Sequence, residues 1–147
     1  MNKSRIIIGI LVAPIIFVIA WSIPYLEHSA FHKWVVINTV FAYVAFLILA
    51  SISHALLKIL RWSTLLQYCL VMFFVGVIVT LAFSLWSLQG YSEFFYAQTQ
   101  VVENNSITTA GYILKAKEAL LSGLLSMACM AAFWFIAIFK TPGAKYS

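Results

Sequence analysis

The chain has no aspartate, only four acidic residues in all, two cysteines and three prolines among its 147 residues, and charged residues make up 9% of it. Each scarcity closes off a kind of chemistry. No Glu, Lys or Arg falls inside a long apolar run. An ionisable group in hydrocarbon costs about 2.5–3.5 kcal/mol even on insertion scales and marks proton relays and ion paths, so a proton-coupled pump is not expected. No Ser/His/Asp set and no His-Glu-x-x-His is present to activate a nucleophile or a metal-bound water. Cys69 and Cys129 stand singly inside apolar runs, with no Cys-x-x-Cys, and are read as packing residues rather than a redox pair. The nine Lys and Arg residues never cluster, so nucleic acid is not an expected partner. No cofactor signature stands out, and the chain is expected to be no enzyme.

Apolar residues, by contrast, are abundant. They form 64% of the chain, against about 45–50% in soluble domains. A spanning helix needs roughly 20 apolar residues to cross about 30 Å of hydrocarbon. Four runs meet that length, at about 6–25, 34–53, 65–88 and 119–139, leaving an outer loop at 89–118. The expected fold is an all-α bundle of four transmembrane helices forming a single integral membrane domain over 1–147. Val18 and Ala20 could mark a signal-peptide cleavage site, but the first run continues through Trp21, Ser22 and Ile23 to a spanning length, so it is read as a retained helix. Pro14 should kink it, because proline removes one backbone donor and clashes one turn back.

Orientation follows from the positive charges. One side of a four-span chain collects Lys3, Arg5, Lys58, Arg61, Lys140 and Lys145; the other collects Lys33, Lys115 and Lys117. Six against three places both termini in the cytoplasm (N-in/C-in) of a cell inner membrane, with the basic turn from His54 to Trp62 lying on anionic lipid. Trp34 and Trp86 fit the interfacial aromatic belt.

Between helices in lipid, small residues and interhelical hydrogen bonds are the packing signal. The third span carries Gly76, Thr80 and Ser84 at four-residue spacing; the fourth carries Ser122, Gly123 and Ser126 on one stripe. These stripes are expected to face each other. Asn38, one turn into the second span, is expected to be interhelical glue. The architecture is similar to that of the small four-span multidrug exporters, but those depend on a Glu in the first span, absent here. The four-span glutathione-transferase family carries a Glu-Arg and Asn cluster in its helices, which this chain also lacks.

His28 and His32 have the i, i+4 spacing of weak metal-ligand candidates beside Glu27, and exposed loop histidines are the expected reading. In the outer segment, Phe94, Phe95, Val101 and Val102 recur at roughly helical spacing after Ser92, suggesting a short interfacial helix between the third and fourth spans. Asn104, Asn105 and Ser106 then break it, and Thr108 or Thr109 can cap a helix running into the fourth span. Phe94, Phe95, Tyr96 and Glu103 make up the expected partner surface. The expected function is a non-enzymatic small membrane protein that binds or regulates a partner in the lipid bilayer, another membrane protein or itself. The alternatives are an immunity or exclusion protein protecting the cell against a pore-forming toxin, phage or plasmid entry, resembling small multi-span immunity proteins in class only, and an oligomeric transporter or channel.

Overall fold

The computed structural model describes residues 3–27, 29–60, 64–96, 98–137 and 139. Four helical segments in it are long and apolar enough to cross a membrane: Ser4–Tyr25, Phe31–Leu57, Leu65–Ser87 and Thr109–Ala137. The first is broken into α1 (Lys3–Val12) and α2 (Ile15–Ser22), ending in a 3-10 turn over Ile23–Tyr25. The break falls at Pro14, which has no N–H to continue the ladder. Leu11, beside the break, uses its carbonyl to accept a hydrogen bond from the Tyr43 hydroxyl, so a backbone defect becomes an interhelical tie.

The other helices are α3 (Phe31–Leu60), α4 (Leu65–Ser87) and α5 (Thr109–Ala137). Helix α3 runs on at both ends beyond the 34–53 stretch read from hydropathy, and α5 begins ten residues before 119. At the start of α4, Thr64 forms a capping box: its hydroxyl accepts from the Gln67 N–H at 3.4 Å, and its own N–H donates to Gln67 Oε1 at 2.9 Å. The helices pack as a ring in which α1–α2 lies beside α3 and α5, and α4 lies between α3 and α5; the α4–α5 interface is the most extensive. Phe17, Ala42, Phe46, Leu49, Met72, Val75 and Cys129 are among its buried core. Cys69 and Cys129 are both free thiols.

The sequence-based expectation of a short interfacial helix between the third and fourth spans is overturned. The segment forms β1 (Phe94–Tyr96), β2 (Thr99–Glu103) and β3 (Ser106–Ile107), an antiparallel sheet in the order β1-β2-β3. Phe94 pairs with Val102 and Tyr96 with Thr99, with a register shift between Phe94 and Phe95; Val102 pairs with Ile107. The reason lies in the turn. Asn104 and Asn105 adopt φ of 49° and 60°. Two successive positive φ values are what a two-residue hairpin needs, and Asn tolerates them. A dipeptide that would only stop a helix therefore joins two strands, and the aromatic and β-branched residues on either side suit the pleated form.

A second unforeseen feature closes the opposite end. Arg5 donates from Nε to the Ile136 carbonyl at 2.8 Å and from Nη2 to that of Phe139 at 2.7 Å. The last carbonyls of a helix lack backbone donors and carry partial negative charge, so this guanidinium caps α5 and fastens α1 to it. Replacing Arg5 with Gln is expected to cost about 1–2 kcal/mol, the range for hydrogen bonds to a charged donor discounted for partial exposure. Thermal unfolding in detergent checks this; an unchanged midpoint would show that the cap contributes nothing.

Candidate functional site

At the hairpin end, the sheet is seated on the first turns of α5 rather than hanging free. Thr108 makes the joint. Its N–H donates to the Val101 carbonyl at 2.9 Å, its hydroxyl donates to the Gln100 carbonyl at 2.6 Å, and the same hydroxyl accepts from the Gly111 N–H at 3.0 Å. It is thus the N-cap of α5 and the staple to β2. Gly111 lets the two backbones meet: a methyl group there would collide with the Val101 carbonyl oxygen and lie 3.0 Å from Val101 Cα. Val101, Val102 and Leu88 are buried in a small core of their own, joined by Phe94, Ile107 and Leu114.

Below the sheet the bundle is open. The buried residues of α4 all lie between Cys69 and Gly76, so its hairpin-proximal half has none; in α3 the first buried side chain is Ala42. The gap left between α3 on one side and α4–α5 on the other is a groove of about 770 Å³, within the range of about 300–1,000 Å³ usual for ligand sites. Phe17 and Trp21 of α2 contribute to its lining, along with Val44 and Ile48 of α3, and Leu121 and Leu125 of α5. Its polar groups belong to the hairpin side: Asn38, Thr80, Ser122, Tyr96, Lys115 and Glu118.

Those polar groups are mutually ordered. Lys115 Nζ lies 2.8 Å from Glu118 Oε2, with the two side chains 12% and 34% exposed, and sits 5.2 Å from the centroid of the Tyr96 ring, a cation–π arrangement. Thr80 and Ser122 share a hydrogen bond of 2.7 Å across the α4–α5 seam. Asn38 Nδ2 donates to the Trp21 carbonyl at 3.0 Å and approaches Ser22 Oγ at 3.4 Å. It supplies a donor where α2 tightens into the 3-10 turn that contains Pro24, which has no N–H to give. Substituting Leu for Asn38 is expected to destabilise the protein by about 0.6–1.7 kcal/mol, the average and the maximum measured for interhelical hydrogen bonds in a membrane protein, readable as a small loss in thermal midpoint; a larger collapse would mean that Asn38 supports more than this contact.

Of the residues singled out from the sequence, Gly76 faces Ser126 and Gly123 across the seam, and Thr80 meets Ser122. Ser84 lies one turn further on, half-buried, where its carbonyl accepts from Ser87 Oγ at 2.8 Å. The four residues of the expected partner surface separate. Phe95, Tyr96 and Glu103 are exposed, Tyr96 also lining the groove, and Phe94 packs onto the small core. His32 is exposed but stands in the first turn of α3 rather than in a loop, and His54 to Leu60 continue α3 instead of forming a turn; His28 and residues 61–63 lie outside the described residues. Among the described residues no three His, Cys, Asp or Glu side chains converge. Sequence reasoning passed over Lys115 and Glu118. Their signal was an opposite-charge pair at i, i+3 immediately before the apolar stretch of the last span. No family model, curated protein or solved structure matches the chain.

Proposed function

We propose that this is a small non-enzymatic multi-pass protein of the inner membrane, both termini cytoplasmic, that acts by binding another membrane protein through its hairpin end. The observation that carries the reading is the sheet seated on α5, with Phe95 60% exposed on a strand at the sheet edge. A pre-ordered aromatic presented on a fixed backbone loses little conformational entropy on binding, and aromatic anchors dominate protein interfaces. The sheet begins seven residues after the end of α4 and stops two before α5 begins, so it stays near the membrane surface and reaches partners in the same membrane most readily. The positive-charge count, six against three, favours this end facing outward.

A photo-crosslinking residue replacing Phe95 in cells should give a discrete protein adduct, whereas the same group replacing Ile78, which is exposed on the flank of α4, should give none of comparable yield. No adduct at Phe95 would overturn the reading. An alkaline phosphatase fused after Asn104 should be active; an inactive fusion would reverse the proposed orientation.

A further inference from the structure

The groove and the hairpin surface are separate features, and the groove calls for a different occupant. Its composition is graded along the bundle axis. The hairpin end carries an ion pair, a phenol, an amide and two hydroxyls, and the deeper part is lined by Phe17, Ile48, Leu49 and Leu125. Several lining residues, including Phe41, Val44, Phe83 and Leu121, are also on the exposed exterior of the bundle, so the groove opens sideways, toward where acyl chains would be. Depth agrees with this grading. Helix α5 has 29 residues, about 43 Å at 1.5 Å per residue, against about 30 Å of hydrocarbon. Its excess lies at the hairpin end, where the apolar stretch begins at Ala119, so Lys115 and Glu118 stand at headgroup level.

The charges narrow the occupant further. Lys115 can donate three hydrogen bonds and makes one to Glu118; the carboxylate has a second oxygen that this bond leaves unused. A fixed pair of opposite charges is complementary to a headgroup that is itself a pair of opposite charges, phosphate toward Lys115 and ammonium toward Glu118. A phosphoglycerol headgroup offers the same phosphate to Lys115 but no cation to Glu118, so the carboxylate would be left beside a net negative ligand, which selects against it. A quaternary ammonium lacks the N–H that the carboxylate can accept. We propose that the groove binds one zwitterionic glycerophospholipid with a primary ammonium headgroup, held at Lys115 and Glu118, with an acyl chain running between α3 and α5 past Leu121.

The full chain is reconstituted in phosphatidylcholine nanodiscs containing a small fraction of a probe lipid with a diazirine in its acyl chain, the headgroup being phosphoethanolamine, phosphoglycerol or phosphocholine in parallel samples. Phosphatidylethanolamine probe should label Val44, Leu121 and Leu125, and unlabelled phosphatidylethanolamine should compete. Lys115→Gln and Glu118→Gln should each lower that labelling about tenfold, the loss of one charge-assisted hydrogen bond. Leu121→Trp, which fills the groove from an exposed position, should lower it while leaving the thermal midpoint unchanged. Equal labelling by the three headgroups, preference for the phosphoglycerol probe, or labelling at Ile78 as strong as at Leu121 would each overturn the proposal.

Discussion

Gly76→Leu is expected to be the most damaging single change in the bundle, costing about 2–4 kcal/mol and leaving little protein folded after mild heating in detergent. A side chain at this position has nowhere to go. Its first carbon would lie 2.5 Å from Ser126 Oγ, 3.0 Å from Ser126 Cβ and 3.2 Å from the Gly123 Cα. The hydroxyl could rotate away, but the glycine backbone could not, so α4 and α5 would have to separate along their largest shared face. Overpacking a tight site costs about 1–3 kcal/mol; prising the helices apart would also stretch the Thr80–Ser122 bond, which contributes roughly 0.6 kcal/mol more if typical of its kind. Gly76→Ala provides the graded control, since a methyl needs only a rotated serine and a few tenths of an ångström. Unfolding midpoints that fall from glycine to alanine to leucine support the close approach. A leucine variant as stable as the parent would mean that the helices do not meet there.

The second large effect is expected at Gly111→Val, and it should be local. The added carbons would collide with the Val101 carbonyl and press on its Cα and Cγ1, both 3.0 Å from the position of a Cβ. Because the obstacle is backbone, the sheet must lift off α5. Lifting it exposes Val101 and Val102, whose burial is worth about 1.5–3 kcal/mol each, and breaks the Thr108 hydrogen bonds to the Gln100 and Val101 carbonyls. The spanning helices keep their contacts. Limited proteolysis should therefore cut the variant between Gln98 and Ser106 at least tenfold faster than the parent while the unfolding midpoint of the bundle moves little. Equal resistance of the two proteins would show that the hairpin is not seated through this contact.

How far the sequence reveals these features depends on the range over which each is specified. The four spans are legible because each is a local run of apolar residues, and Pro14 marks its own helix break because a missing N–H acts within one turn. Gly76, Thr80, Ser122 and Ser126 could be named as packing residues because their smallness is a property of each helix alone. The β-hairpin was not legible through helical periodicity. Phe94, Phe95, Val101 and Val102 satisfy a helical spacing, yet the same positions satisfy an antiparallel ladder with an offset, and the deciding signal was the Asn104-Asn105 pair between β-favouring residues. Arg5 as a cap for α5 was beyond local reading altogether, since its partners stand about 130 positions away. The groove is less legible still. It arises from where α3 parts from α4 and α5, a property of how helices are placed rather than of any stretch of residues.

Whether the hairpin is a fixed platform on α5 rather than a loop is tested most directly by hydrogen–deuterium exchange of the reconstituted protein. Amides from Val101 to Ile107 that lie in the ladder should exchange as slowly as those of the first turns of α5, because sheet and helix open as one unit. Exchange across Thr99–Ile107 as fast as that of a free peptide, with α5 still protected, would contradict it.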